Sequence, residues 1–317
     1  MLVSGPVHID ALGRAAIALW LASALCAARQ CLPCHPREVE LHARSNHART
    51  LRPIGETEFA RNLPASPIGE ARNGFLLSYE PGNTALIVTA ERGRQRAQGR
   101  IEWAFGAADQ GVTPVARVGN RWLEHRISYY AKPGKFDLTL GHQPGASRSA
   151  EAAIGIAQPV ATIRSCFGCH SSVSEGELRV EQPGVVCERC HRGAAEHALG
   201  RGTVTNPGKL SARAQVELCA VCHRLAPLKG QEEDPLNIRF QPLRLVKSRC
   251  HLAGGLNCLT CHPAHQNARR ADPGFYRERC LSCHPSQAHK ADCLPCHMPK
   301  SSPAPYLVFT DHYIRRR

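Results

Sequence analysis

Seven times the chain places two cysteines three positions apart and a histidine directly after the second. The runs are Cys31, Cys34, His35; Cys166, Cys169, His170; Cys187, Cys190, His191; Cys219, Cys222, His223; Cys258, Cys261, His262; Cys280, Cys283, His284; and Cys293, Cys296, His297. They consume fourteen of the 16 cysteines, where chance at this composition gives on the order of 0.04 such runs. Two thiols so spaced lie on one side of a single helical turn. From there they can add to the two vinyl groups of one haem, and the next residue offers its imidazole to the iron. A disulfide framework needs no histidine after every second cysteine. Structural zinc built from paired CxxC knuckles gains only poor tetrahedral geometry from a histidine fixed beside its cysteine. The spacing therefore predicts seven covalent haem c groups with their iron, and the seven motif histidines as proximal ligands.

Each iron has a second axial position. Methionine is nearly excluded by counting: the sequence has Met 2, and beyond Met1 only Met298 remains, beside His297. One residue cannot carry the chain to the opposite face of the same porphyrin. Nine histidines remain after His8 and the proximal seven: His42, His47, His125, His142, His197, His251, His265, His289 and His312. The candidate distal ligands are His47, His197, His265, His312, His142, His289 and His251, with His42 and His125 behind them. His265 follows His262 by three residues and His197 follows His191 by six, so each would serve a haem other than its neighbour's. Ligation by two histidines, without methionine, predicts low potentials.

Stepping outward, 317 residues allow one large domain or two ordinary ones. Charged residues at 21% and hydrophobic ones at 43% exclude a wholly disordered chain. No GxGxxG stands between a strand and a helix, which argues against a dinucleotide-binding enzyme. Six motifs crowd between Cys166 and His297, about 22 residues apiece. That density and the 5% of aromatic residues predict a mainly α and irregular fold whose apolar core is the haems themselves. A longer helix is expected around 211–223, capped by Ser211. The Cys-free stretch differs: 74–79, 85–89 and 121–130 look like strands, with turns at Pro81-Gly82-Asn83 and Val118-Gly119-Asn120. The expected organisation is a signal peptide at 1–28, a first haem-binding segment at 29–69, a small antiparallel β module at 70–155 and a six-haem domain at 156–317. Cys250, left over, reads as a buried inert thiol.

Arg14, the apolar run from Ala15 to Leu25 and the small Ala27-Ala28 pair read as an export signal. Counted on to Ala28 the run is about 14 residues, short of the roughly 20 that span a bilayer. The mature chain is thus expected in the periplasm or outside the cell, touching membrane only peripherally or through an uncleaved signal. The net charge of +14 is about offset by the propionates of seven haems, roughly fourteen charges, so it is poor evidence for nucleic acid. The expected partners are redox proteins, with a homo-oligomer or filament as a further form.

Several segments resemble the exported multihaem cytochromes c with doubled CxxCH motifs, relatives of the tetrahaem electron-carrier cytochromes. Cys31–His35 followed by Ser45-Asn46-His47-Ala48 is similar to that family's first haem and distal histidine. Cys187–His191 with His197 resembles its CErCHGxxxxH segment. Ser248-Arg249-Cys250 and then Cys258–His265 are similar to its SrC…CxTCHxPH stretch, with His251 where an aromatic residue is usual. Cys293–Lys300 and Phe309-Thr310-Asp311-His312 resemble its CxxCHMP and FTDH ending. The resemblance implies electron transfer through a chain of haems, with His47, His197, His265 and His312 as distal ligands. An extracytoplasmic electron carrier is the leading expectation. The alternatives are an oxidoreductase acting on a small nitrogen or sulfur compound, which needs a five-coordinate haem with acid/base groups on its open face, and a subunit of an extracellular cytochrome filament.

Overall fold

The computed structural model describes residues 30–70, 74–107, 109–174, 178–227, 234–269, 272–286 and 292–315. The expected signal peptide and His289 lie outside the described residues. Among the described residues, no helix is long and apolar enough to cross a membrane.

The dominant element is an antiparallel sheet. Its strands are β1 (Leu51–Pro53), β2 (Ile68–Gly69), β3 (Leu76–Pro81), β4 (Leu86–Arg92), β5 (Gln95–Phe105), β6 (Thr113–Val118), β7 (Arg121–His125) and, after the separate hairpin β8 (Ile127–Tyr130) and β9 (Lys135–Leu138), β10 (Gly155–Ala157). The order is β10-β7-β6-β5-β4-β3-β2, with β1 pairing β5. Two-residue turns join β4 to β5 and β6 to β7, with Arg92 opposite Gln95 and Val118 opposite Arg121. Each turn begins with a glycine at φ +59°, Gly93 and Gly119, the left-handed conformation that tight hairpins need and that glycine adopts without strain. β5 outruns β4. Past a register shift between Ile101 and Trp103 its far end pairs with β6 on one side and β1 on the other, a bulge that lets the sheet curl.

This unit has an ordinary core. Phe59, Phe75, Leu77, Val88, Ile101, Leu123 and Ile154 are among the buried apolar side chains that pack together in it. The expectation of a small β module in a mainly α or irregular protein is corrected here. The structure is 33% helix and 26% strand, with the sheet curled into a half-barrel. The sheet takes in β1 and β2 before residue 70 and β10 after residue 154. β5 and β6 escape the sequence pattern because Gln95–Gly99 alternates weakly and Pro114 sits inside β6.

The motif-rich half is built otherwise. Beyond residue 170, the buried apolar side chains among the described residues are Ala194, Val216, Pro242, Leu243, Leu245 and Leu307. Short helices and 3-10 turns alternate with loops there. The longest helix is Ala212–His223, where the Ser211 hydroxyl accepts from the Ala214 N–H, the N-cap that the sequence suggests. Helix Val160–His170 joins the halves: Ile163 and Phe167 pack with Leu51 and Val115 of the sheet.

Candidate metal centre

Each described CxxCH motif is a single helical turn. The histidine N–H bonds back to the first cysteine carbonyl at 2.8 Å for His35 and His191, 2.9 Å for His262, and 3.0 Å for His284 and His297. In the second and fourth motifs the turn is the last one of the helices Val160–His170 and Ala212–His223. An i to i−4 bond of this kind places the two sulfurs, three residues apart, on one face.

The turns surround a cavity of about 3050 Å³ lined by thiols of all six C-terminal motifs, among them Cys166, Cys190, Cys219, Cys258, Cys280 and Cys293. Small-molecule sites run to about 1,000 Å³, so this space is several times too large for one small ligand. Apolar side chains face it: Val221 is 62% and Ile156 44% exposed, and both line the cavity. Cys250 and His251 stand at its wall and near it, and the Cys250 thiol is half-buried.

The imidazoles carry a second regularity. His170 Nδ1 lies 2.5 Å from Thr50 Oγ1 and 3.2 Å from the Thr50 carbonyl oxygen. Nδ1 of His191 faces the Thr205 carbonyl at 3.1 Å, that of His297 the Arg315 carbonyl at 2.7 Å and that of His312 the Thr310 carbonyl at 2.9 Å. His47 and His251 do the same with Ala264 and Leu256, at 3.3 and 2.8 Å. An Nδ1–H donated to a carbonyl fixes the tautomer and leaves Nε2 with its lone pair outward, as metal-ligating histidines need.

Three pairs of rings oppose one another. His191 and His265 are stacked with centroids 5.9 Å apart, His262 and His312 are stacked at 6.0 Å, and His47 and His223 meet at 6.1 Å with planes at 75°. An atom bound to two imidazole nitrogens at about 2 Å each sets the ring centroids about 6 Å apart. His42 flanks His265 edge-on at 6.3 Å. Burial, with the neighbouring His47, His265 and His191, holds the His42 pKa down at about 4. His223, enclosed but open to the cavity, is lowered to about 4 by burial first and then by His47.

The remaining candidates separate. His125 lies fully buried in the sheet, with Nδ1 on the Ile154 carbonyl at 2.6 Å and Nε2 accepting from the Tyr79 hydroxyl at 2.8 Å. Both nitrogens are used, so it is a structural residue. His142 is buried with neither ring nitrogen hydrogen-bonded, its Nε2 3.8 Å from Glu124 Oε2. His197 is exposed on the turn Ala194–Ala198, and His35 and His284 are exposed as well. The supporting carbonyls and Thr50 have no signal in the sequence, because any residue can supply a carbonyl.

A hairpin delivers His312. β11 (Ser171–Val173) and β12 (Val180–Pro183) form one small ribbon, and β13 (Lys300–Ala304) with β14 (Leu307–Thr310) another. Just past β14, Asp311 receives a fork from Arg244, Nε at 3.0 Å and Nη2 at 2.8 Å, and a bond from Arg315 at 2.6 Å. These charges hold its carboxyl below the usual range despite burial. Ser248 Oγ donates to the His312 carbonyl at 3.1 Å.

No protein-family model matches the chain. In sequence it is similar to the dissimilatory sulfite reductase MccA of Wolinella succinogenes, 23% identical over 85% of this chain and 50% of that protein. The chain thus spans about half the length of this curated relative. In structure it is similar to the outer cell wall cytochrome OcwA, with a TM-score of 0.53, 14% identity, and coverage of 90% of this chain and 78% of that one. The thiols and imidazoles around the cavity fit haem c in chemistry, and the chain shares its fold with a cytochrome.

Proposed function

We propose that this chain binds seven haem c groups and passes electrons along them outside the cytoplasm. The observation that carries the reading is one large cavity walled by thiols of six CxxCH turns, with the opposed imidazoles of His47 and His223 and of His262 and His312 in its lining. The fourteen motif cysteines would hold the porphyrins by thioethers, and the seven motif histidines would bind the irons. When bound, the groups supply one-electron chemistry. The protein's part is to orient the imidazoles, keep Nε2 free through backbone carbonyls and pack the groups within reach of one another.

His265 would bind the iron together with His191, His312 with His262, and His47 with His223. His142, whose Nε2 lies 3.8 Å from Glu124, would serve the second motif, whose Cys166 and His170 line the cavity with Glu124. His197, His251 and His289 remain candidates for the other irons. Ligation by paired histidines gives low-spin iron at low potential. Export agrees with the cell-wall location in the structural relative's name and with the extracytoplasmic setting of haem c attachment. The partners are redox proteins.

A second reading is an oxidoreductase acting on a small nitrogen or sulfur compound; the sequence relative's name is that of a sulfite reductase. One feature favours it: Glu124, Arg224 and Arg239 line the same cavity as the Cys166 thiol. Cations and a carboxylate beside one anchoring thiol suit anion binding and proton delivery. The test is intact mass and spin state of the exported protein. Seven haem additions and wholly low-spin iron are expected. A colourless product of bare polypeptide mass overturns both readings, and a high-spin fraction that shifts with nitrite or sulfite overturns the pure carrier in favour of the reductase.

A further inference from the structure

Two of the opposed imidazoles ride on segments that are fastened to each other. His47 faces His223, and His265 faces His191. Their loops are remote in sequence, yet they meet. The His47 Nδ1–H donates to the Ala264 carbonyl at 3.3 Å. One residue earlier, the Asn46 N–H donates to Asn267 Oδ1 at 2.6 Å, across 221 positions of the chain. The two bonds bracket residues 46–47 against residues 264–267. His265 lies inside the bracket, directly after the carbonyl that holds His47.

The His47 loop has further anchors. Ser45 is buried, and its hydroxyl accepts from the Ala48 N–H at 3.3 Å. The Val185 N–H donates to the His47 carbonyl at 2.9 Å, from the segment just before the third motif. The Asn46 side-chain amide donates to Asp109 Oδ2, in the loop between β5 and β6. Asn46 therefore reaches the sheet with its side chain and the motif-rich half with its backbone.

The acceptor at Ala264 is a backbone carbonyl, which any residue supplies. The acceptor at Asn267 is a side chain, and only a side chain with an oxygen in that place can supply it. Asn267 stands outside every CxxCH turn and is not among the candidate iron ligands. It lines the same cavity as Asn46, His47 and Ala264. Hydrogen bonds behind a ligating imidazole set where that ring points, and so how well it holds its metal.

We propose that Asn267 is a positioning residue for two irons at once. It holds the His47 and His265 loops as one unit and so couples ligation at the fourth motif to ligation at the third. The proposal rests on the haem reading above. An imidazole whose loop loses an anchor spends more time off its iron, and an outside ligand then takes the position more readily. Because the bracket is shared, one substitution releases both rings; a purely local contact would release one.

Cyanide titration of the oxidised, haem-loaded protein tests this, with each haem followed by electron paramagnetic resonance. In Asn267→Ala, two haems should bind cyanide at about tenfold lower concentration than in the parent, the weight of one hydrogen bond. They should be the haems whose low-spin signals disappear in His47→Ala and in His265→Ala. Asn267→Asp keeps an oxygen acceptor and should titrate like the parent. Asn267→Gln shifts the acceptor by one methylene and should fall between, which keeps the comparison available if the alanine variant accumulates poorly.

Cyanide binding unchanged in Asn267→Ala, or changed at one haem only, would overturn the coupling. An aspartate variant as disturbed as the alanine variant would overturn the acceptor role. Parent protein that carries no haem would instead remove the reading beneath the proposal.

Discussion

His125 and His191 are both surrounded by protein, and their hydrogen bonds give them different work. His191 spends only Nδ1 on a carbonyl, whereas His125 spends both nitrogens. Substituting His265→Ala or His312→Ala should each convert one of the irons to high spin, read by electron paramagnetic resonance, while His125→Gln should leave the spin states unchanged. His142 decides between the two functional readings. In a carrier, His142→Ala creates a high-spin iron that the parent lacks; in a reductase, the parent already has one. His125 also makes a pH prediction. Burial lowers its pKa to about 3 in the fold, with the Tyr79 hydroxyl and Phe59 ring against it and His142 nearby. An unfolded chain takes up that proton below about pH 6.5. The neutral imidazole therefore stabilises the fold fully above pH 6.5, and the contribution fades as pH falls toward 3, by order of 4 kcal/mol at most. The near-ultraviolet dichroism of the sheet's tryptophans should show a lower melting temperature across that window, and a flat profile would refute this.

Among the elements, the sheet is locked by a buried carboxylate. Glu70 takes an ion pair from Arg126 at 2.7 Å, the Phe75 and Ser147 N–H groups at 3.0 Å each, and the Ser147 hydroxyl. These contacts tie the edge strand β2 to the loop before helix Ala150–Ile154. Glu70→Ala leaves the buried Arg126 guanidinium without its carboxylate, with only the Gln143 and Gly145 carbonyls to accept from it, and should cost about 3–5 kcal/mol. Denaturant unfolding followed at tryptophan would show the loss, with the haem spectrum of the folded protein unchanged. The clamp on Asp311 works at a different end. Asp311→Ala should loosen the segment after β14 and give part of the high-spin signal expected of His312→Ala, because it frees the ligand's backbone without removing the imidazole. A spectrum identical to the parent's would deny Asp311 that positioning role.

At the scale of the whole molecule, the two halves hold together by different means. The sheet buries a continuous apolar cluster, whereas the described residues beyond 170 bury very few large side chains around their cavity. Apolar burial contributes roughly 25 cal/mol per Å², so a half without it depends on whatever fills the cavity. Chain produced in a host unable to attach haem should therefore keep a protease-resistant fragment spanning about residues 50–157 and lose the rest. Uniform protection of the whole chain would contradict this division.

The CxxCH turns themselves were legible in the sequence, because the motif is local: one helical turn contains both thiols and the imidazole. Strands β3, β4 and β7 were legible for the same reason, their apolar alternation being written in consecutive residues. The extent of the sheet was not, since β1 and β10 are short and owe their place to partners 30 to 54 residues away. The opposed imidazoles were decided by tertiary structure alone. His47 meets His223, and His191 meets His265, across long stretches of chain. Nothing in a histidine's neighbours says which distant ring it will face; only packing of the intervening segments brings the two within the span of one iron.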